Sequence, residues 1–135
     1  ATRPQLDNPE AIADHLRDEF RGKEVEELHV VLLDTRRRLI RSERVTTGIL
    51  DSAIIHAREV FRPAIAANAS ALVLVHNHPS GDPPPSKADI TITRDLVRAG
   101  QLLKIEILDH VILGEKTTER DRDFVSLKEM GYFYQ

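Results

Sequence analysis

No cysteine occurs among the 135 residues. That absence excludes a disulfide framework, a thiolate zinc site and a cysteine nucleophile together, and it fits a reducing compartment. Any metal must then be held by histidine and carboxylate. No apolar run approaches the roughly 18 residues that a membrane span needs, and the opening "ATRPQLDNPE" lacks the hydrophobic stretch of a signal peptide. The chain reads as soluble and cytoplasmic, with no membrane partner. Excess positive charge is missing too: 19 Lys and Arg stand against 22 Asp and Glu, a formal net charge of -3. Such a chain lacks the global pull of a nucleic-acid binder, which leaves only a local basic patch. There is no internal repeat.

With 41% hydrophobic and 30% charged residues, one globular domain with one core is expected. Asn8 as N-cap and Pro9 at the first helical position, followed by Ile12, Leu16 and Phe20 at four-residue spacing, predict a helix from Pro9 to Phe20. "EELHVVLLDT" and "RLIRSERVTTG", joined by the polar "DTRRR", predict two strands in a hairpin closed by Gly48. In "SAIIHAREVFRPAIAANA", Ile54, Ile55, Ala57, Val60, Phe61, Ala64 and Ile65 recur at helical spacing, with Pro63 as a candidate kink and Asn68 as the end. "ALVLV" has the continuous apolar character of a strand buried on both faces, and it runs straight into His76. A helix is expected from Ser86 to about Ala99, ended by Gly100. "LLKIEILDHVILG" follows as one or two strands, and "SLKEMGYFYQ" as a short helical turn with an aromatic tail. The alternation predicts an α/β fold, a mixed sheet flanked by helices.

The chemistry concentrates in "VHNHPSGDPPPSKAD". His76 and His78, one residue apart at a strand end, should project from one face. Prolines and Gly81 restrict the returning loop, which brings Ser86 and Asp89 close. With Ser86 as N-cap, Asp89 lies at the third helical position, where its carboxylate can face the histidines. Two imidazoles, one carboxylate and an open position suit a catalytic zinc, since a structural zinc normally fills all four positions. "SKAD" is equally a capping box with Asp in place of Glu, which accounts for Ser86 and Asp89 without a metal. It does not account for the histidines.

The pattern HxHx7SxxD resembles the signature of the JAB/MPN (JAMM motif) metalloprotease superfamily. Together with "HAREVF", "NASALVLVHNHPSGD", "PSKADITIT" and "LDHVILG", in that order, it is similar to the RadC-like branch, over nearly the whole chain. The contiguous "HNH" is not the nuclease motif of that name, whose residues are widely spaced. RadC-like proteins often carry a helical region ahead of this domain; none matches here, so residues 1–135 read as the catalytic-type domain alone. The resemblance implies a JAB/MPN (cytidine deaminase-like) fold, Zn2+ held by His76, His78 and Asp89, and cleavage of a peptide or isopeptide bond by a zinc-activated water. It also implies a glutamate base from an upstream strand. Glu24, Glu26 and Glu27 are the candidates. The alignment on "VVLLD" falls on Glu26, with Leu28 replacing the family's usual aromatic residue, and Glu27 is the fallback. Ser86 would donate a hydrogen bond to the developing oxyanion.

Several residues have ordinary readings. His110 could support the site from behind or be a polar residue at a strand junction, and it is left outside the catalytic set. His56, Arg58 and Glu59 either shape a substrate groove or anchor a helix start. Arg36, Arg37, Arg38, Arg41 and Arg44 form the only basic concentration, and a solvated hairpin face outweighs a phosphate-binding role for them. His15 and His29 read as surface or core residues. The implied partner is a protein or peptide substrate, and a homodimer is left open. The competing functions are a DNA repair or recombination factor acting by nucleic-acid or protein binding, and a metal-retaining scaffold.

Overall fold

The structure, a computed structural model, describes residues 3–51 and 55–133. Its elements run α1 (Pro9–Phe20), β1 (Glu27–Leu33), β2 (Leu39–Thr47), α2 (Ala57–Ala66), β3 (Ala71–Asn77), α3 (Lys87–Leu103), β4 (Glu106–Leu113) and β5 (Phe124–Ser126). Five strands form one sheet in the order β2-β1-β3-β4-β5. β3 and β4 are parallel, joined by α3 as the crossover, and the other pairs are antiparallel. This is the expected mixed sheet flanked by helices.

β1 and β3 are buried along their whole length, because the sheet is covered on both sides. Leu28, Val30, Leu32, Leu72 and Leu74 face α2 and α3 in one core. Val31, Leu33, Val73 and Val75 face α1 in the other. The two-residue period of a strand separates these sets, and it also decides where the polar residues at the strand ends point.

The Asn8 side chain accepts from the Ala11 N–H at 2.8 Å and starts α1 where expected. The hairpin forms as expected. α2 starts later than the apolar pattern suggested, with His56 at its N-cap position, and it continues through Pro63. Asn68, at φ 54°, follows its end. Ser52, Ala53 and Ile54 of the expected helix lie outside the described residues, as do Tyr134 and Gln135 of the aromatic tail.

The structure adds one strand and corrects one helix end. β5 was not anticipated; three residues are too few to display a period, and only pairing with Val111, Ile112 and Leu113 makes them a strand. Nor does Gly100 end α3, which continues to Leu103 and closes on Lys104 in the left-handed region. Gly100 is there for close approach. A Cβ at this position would lie 2.5 Å from the Ile105 carbonyl oxygen and 3.3 Å from the Phe61 ring. Inside a helix, Gly to Ala ordinarily stabilises by about 1 kcal/mol. Here Gly100→Ala is expected to destabilise by about 1–3 kcal/mol through overpacking, read as a lower urea midpoint at unchanged slope.

Candidate metal centre

Three chain segments meet at the C-terminal end of β3. β3 supplies His76 and leads directly to His78; the approach to β1 supplies Glu26; the first turn of α3 supplies Asp89. His76 pairs across the sheet with Leu28, so Glu26, two residues before Leu28, falls on the same face. Glu26 Oε1 lies 3.8 Å from His76 Nε2 and 3.7 Å from His78 Nε2. Asp89 closes the group, with Oδ1 3.5 Å from His76 Nε2 and Oδ2 3.1 Å from His78 Nε2. Ligand atoms of Glu26, His76 and His78 lie within 4.8 Å of one another.

Glu27 is turned to the opposite face. Its carboxylate meets His29 Nε2 at 2.9 Å, and Lys23 Nζ at 3.4 Å. The hydrogen bond with His29 holds its carboxyl below the usual range. His29 is thus a buried, partnered residue that also packs on Phe20, whereas His15 is exposed. Glu24 lines a groove beside the site.

The capping box is real and serves the cluster. Ser86 Oγ accepts from the Asp89 N–H at 3.1 Å, and Asp89 Oδ2 accepts from the Ser86 N–H at 2.8 Å. Asp89 therefore holds the helix start and presents a carboxylate to the histidines at once, at the helix end where negative charge is favoured. Ser86 Oγ keeps its own hydrogen free to donate elsewhere.

Hydrogen-bond chemistry makes this a group of acceptors. His78 Nδ1 lies 2.8 Å from the Asp82 carbonyl oxygen. A carbonyl can only accept, so Nδ1 carries the hydrogen and a neutral His78 leaves Nε2 bare. His76 Nε2 is buried without a hydrogen-bond partner. Two imidazole nitrogens and two carboxylates thus face a common centre, and a cation relieves the mutual repulsion of their lone pairs. Without a metal, a proton does part of this. Against the effect of desolvation, hydrogen bonds to Asp89 and the Asp82 carbonyl raise the His78 pKa. Asp89 is likewise held low despite desolvation, by its bonds with His78 and the Ser86 N–H. Burial raises Glu26, with His78 opposing. Burial drives His76 well below its ordinary value. On these observations the donor set fits a divalent cation such as zinc.

The supporting residues were not all singled out in the sequence. Asn77, between the two histidines, points to the other face; its Oδ1 accepts from the Glu27 N–H at 2.8 Å and its Nδ2 donates to the Val25 carbonyl at 3.3 Å. These bonds grip the backbone on both sides of Glu26. Arg120 donates to the carbonyls of Gly81 and Glu115 and pairs with Asp82, bracing the loop that carries Asp82. Gly114 packs against the same loop: a Cβ there would collide with the Gly81 carbonyl oxygen. His110, left outside the set, stands directly behind His76, its Nε2 2.6 Å from His76 Nδ1. The parallel register of β4 on β3, with His110 opposite Leu74, puts it there.

Other candidates stay apart from the cluster. His56 is exposed at the start of α2, and Arg58 pairs with neighbouring Glu59. In the basic hairpin, Arg37, Arg41 and Arg44 face Glu106, Glu43 and Glu27, which offsets part of the charge. Two grooves meet at His78 and Pro79, one of about 640 Å³ toward Arg17, Lys23 and Lys116, the other of about 460 Å³ toward Val25 and Ile49. Among the described residues, no helix is long and apolar enough to cross a membrane.

The sheet order, the crossover helix capped by Ser86 and Asp89, and the histidine pair at the end of β3 define an α/β domain of the JAB/MPN type. A family model described as RadC-like JAB domain matches residues 6–132, and the chain belongs to that family. It is 44% identical over 126 residues to a UPF0758 protein of Caldanaerobacter subterraneus subsp. tengcongensis, covering 93% of this chain and 52% of that protein. A UPF0758 protein of Bacillus licheniformis is 46% identical over 124 residues, 92% of this chain and 53% of that protein. One of Moorella thermoacetica is 44% identical over 128 residues, 95% and 53% of the respective chains. The chain spans about half the length of these curated relatives.

Proposed function

We propose that this chain is a zinc-dependent hydrolase of the JAMM type, cleaving a peptide or isopeptide bond. The observation that carries the reading is the convergence of two Nε2 atoms, that of buried His76 without a hydrogen-bond partner and that of His78 3.1 Å from Asp89 Oδ2, with the Asp89 and Glu26 carboxylates. His76, His78 and Asp89 would hold the ion. Of the two carboxylates, Asp89 is the nearer to both imidazoles, is almost wholly buried, and is anchored by the Ser86 N–H. Glu26 stands farther out, with its side chain 15% exposed, where it can meet water and substrate.

Bound there, zinc supplies Lewis acidity, polarising a carbonyl oxygen and easing the deprotonation of a water. Glu26 takes a proton from the attacking water as its oxygen bonds to the carbonyl carbon, and returns it to the amine nitrogen as the C–N bond breaks. The free Ser86 hydroxyl hydrogen suits donation to the developing oxyanion. The grooves on either side of His78 give an extended chain a path past these groups.

Zinc content tests the reading first. Elemental mass spectrometry on protein purified without chelator or affinity-tag metal is expected to find about one zinc per chain, lost in His78→Ala. Failure of the wild type to take up zinc, even when zinc is added, would return the segment to a stiff loop and a capped helix.

A further inference from the structure

A chain of buried hydrogen bonds runs from the site into the interior. His76 Nδ1 lies 2.6 Å from His110 Nε2, and His110 Nδ1 lies 2.6 Å from Thr93 Oγ1. Thr93 Oγ1 lies in turn 2.6 Å from the Asp89 carbonyl oxygen, one helical turn back along α3. His76, His110 and Thr93 are all 0% exposed.

The direction of each bond follows from counting hydrogens. A threonine hydroxyl has one, and a carbonyl oxygen has none. The short contact with Asp89 is therefore a hydrogen bond only if Thr93 donates, since otherwise two oxygens would face each other with lone pairs. Thr93 must then accept from His110, so His110 carries its hydrogen on Nδ1. A neutral imidazole has a single N–H, and burial favours the neutral form. His110 Nε2 is consequently an acceptor, and His76 must donate to it from Nδ1. That leaves His76 Nε2 bare and aimed at Glu26 and Asp89, where it has no hydrogen-bond partner.

We infer that the Thr93 hydroxyl, acting through His110, sets the tautomer of His76 and keeps its Nε2 lone pair directed at the metal centre. Thr93 and His110 are positioning residues. Their importance for metal affinity rests on the proposed metal site; the tautomer assignment does not. A metal-bound histidine usually gives its second N–H to a carboxylate, a carbonyl or water. Here the acceptor is another histidine, which can equally well donate, so the pair has two polarities and something beyond it must choose. The helix carbonyl of Asp89 makes the choice, through the one hydrogen of Thr93.

Long-range proton–nitrogen NMR of the imidazole rings in the zinc-free chain reads this directly. In the wild type, both His76 and His110 are expected as Nδ1–H tautomers. Thr93→Val keeps the shape but removes the acceptor, and a buried N–H without a partner is costly. His110 then moves its hydrogen to Nε2 and donates to His76 Nδ1, and His76 becomes the Nε2–H tautomer. Thr93→Ser restores the wild-type pattern. Titration with zinc alone is expected to show affinity weakened about 10- to 100-fold in Thr93→Val and recovered in Thr93→Ser. A wild-type His76 with its hydrogen on Nε2 would overturn the inference without any variant, and so would unchanged tautomers in a folded Thr93→Val. Unchanged tautomers with zinc still bound would leave the hydrolase reading intact. The expected switch in a chain that binds no zinc would uphold the tautomer assignment and remove the hydrolase reading.

Discussion

Glu26→Gln is expected to lower peptide cleavage by about two to four orders of magnitude, the usual contribution of a positioned general base, with zinc content unchanged. Glutamine keeps the length of the side chain and an oxygen that can accept a hydrogen bond, but it cannot take a proton from water. The backbone at this position is gripped by Asn77 through Val25 and Glu27, so the substitution has little reason to disturb the strand. Single-turnover cleavage of a peptide selected with the zinc-loaded wild type, alongside elemental analysis, is the measurement. Retained activity would remove Glu26 from the mechanism. Loss of zinc together with activity would make Glu26 a ligand, which its place in a three-residue cluster with His76 and His78 also allows. Glu27→Gln is the internal control. Its carboxylate faces His29 and Lys23 on the opposite side of the sheet, so it should alter stability and leave the chemical step alone.

Asp89 has two duties, and two substitutions separate them. In Asp89→Asn the side-chain oxygen still accepts from the Ser86 N–H, so the helix cap survives while the charge goes. Asp89→Ala removes the side-chain half of the capping box together with the charge, while Ser86 Oγ still accepts from the backbone N–H of residue 89. Without zinc, Asp89→Ala is expected to be less stable than Asp89→Asn by about 1 kcal/mol, the typical net contribution of one intramolecular hydrogen bond. With zinc at a thousand times its dissociation constant, the wild type should gain about 4 kcal/mol, because the ion binds only the folded chain. Both variants should lose most of that gain. Urea denaturation with and without zinc reads all three proteins. Should Asp89→Asn keep the full zinc-dependent increment, Asp89 would be a capping residue only, and the metal would have to be held by His76, His78 and Glu26.

The same duality explains why the site was partly legible in the sequence. The spacing of His76, His78, Ser86 and Asp89 is local, and local rules apply to it. Residues one apart at a strand end can reach a common centre; a serine before a helix caps it; the third helical residue faces back toward the cap. The interval of seven between His78 and Ser86 is what a loop rich in proline spans on its return. Glu26 was nameable only through the family resemblance, because two adjacent glutamates at the start of a strand differ in nothing but which face each takes. The pairing of Leu28 with His76 resolves the faces. Asn77, Arg120 and Thr93 escaped notice because a polar residue takes on a positioning role from its partner, and their partners lie far along the chain or across a helix turn.

By itself the sequence determined the α1 boundaries, the doubly buried β3, the hairpin, the capped start of α3 and the histidine spacing. Each follows from periodicity, capping or turn chemistry within a few residues. Only the tertiary structure decided that Gly100 is passed over rather than ending α3, that Phe124–Ser126 is a strand, and that His110 stands behind His76. These depend on contacts between segments remote in the chain, where the packing of Gly100 against Ile105 and Phe61, or the alignment of β4 beside β3, outweighs local preference.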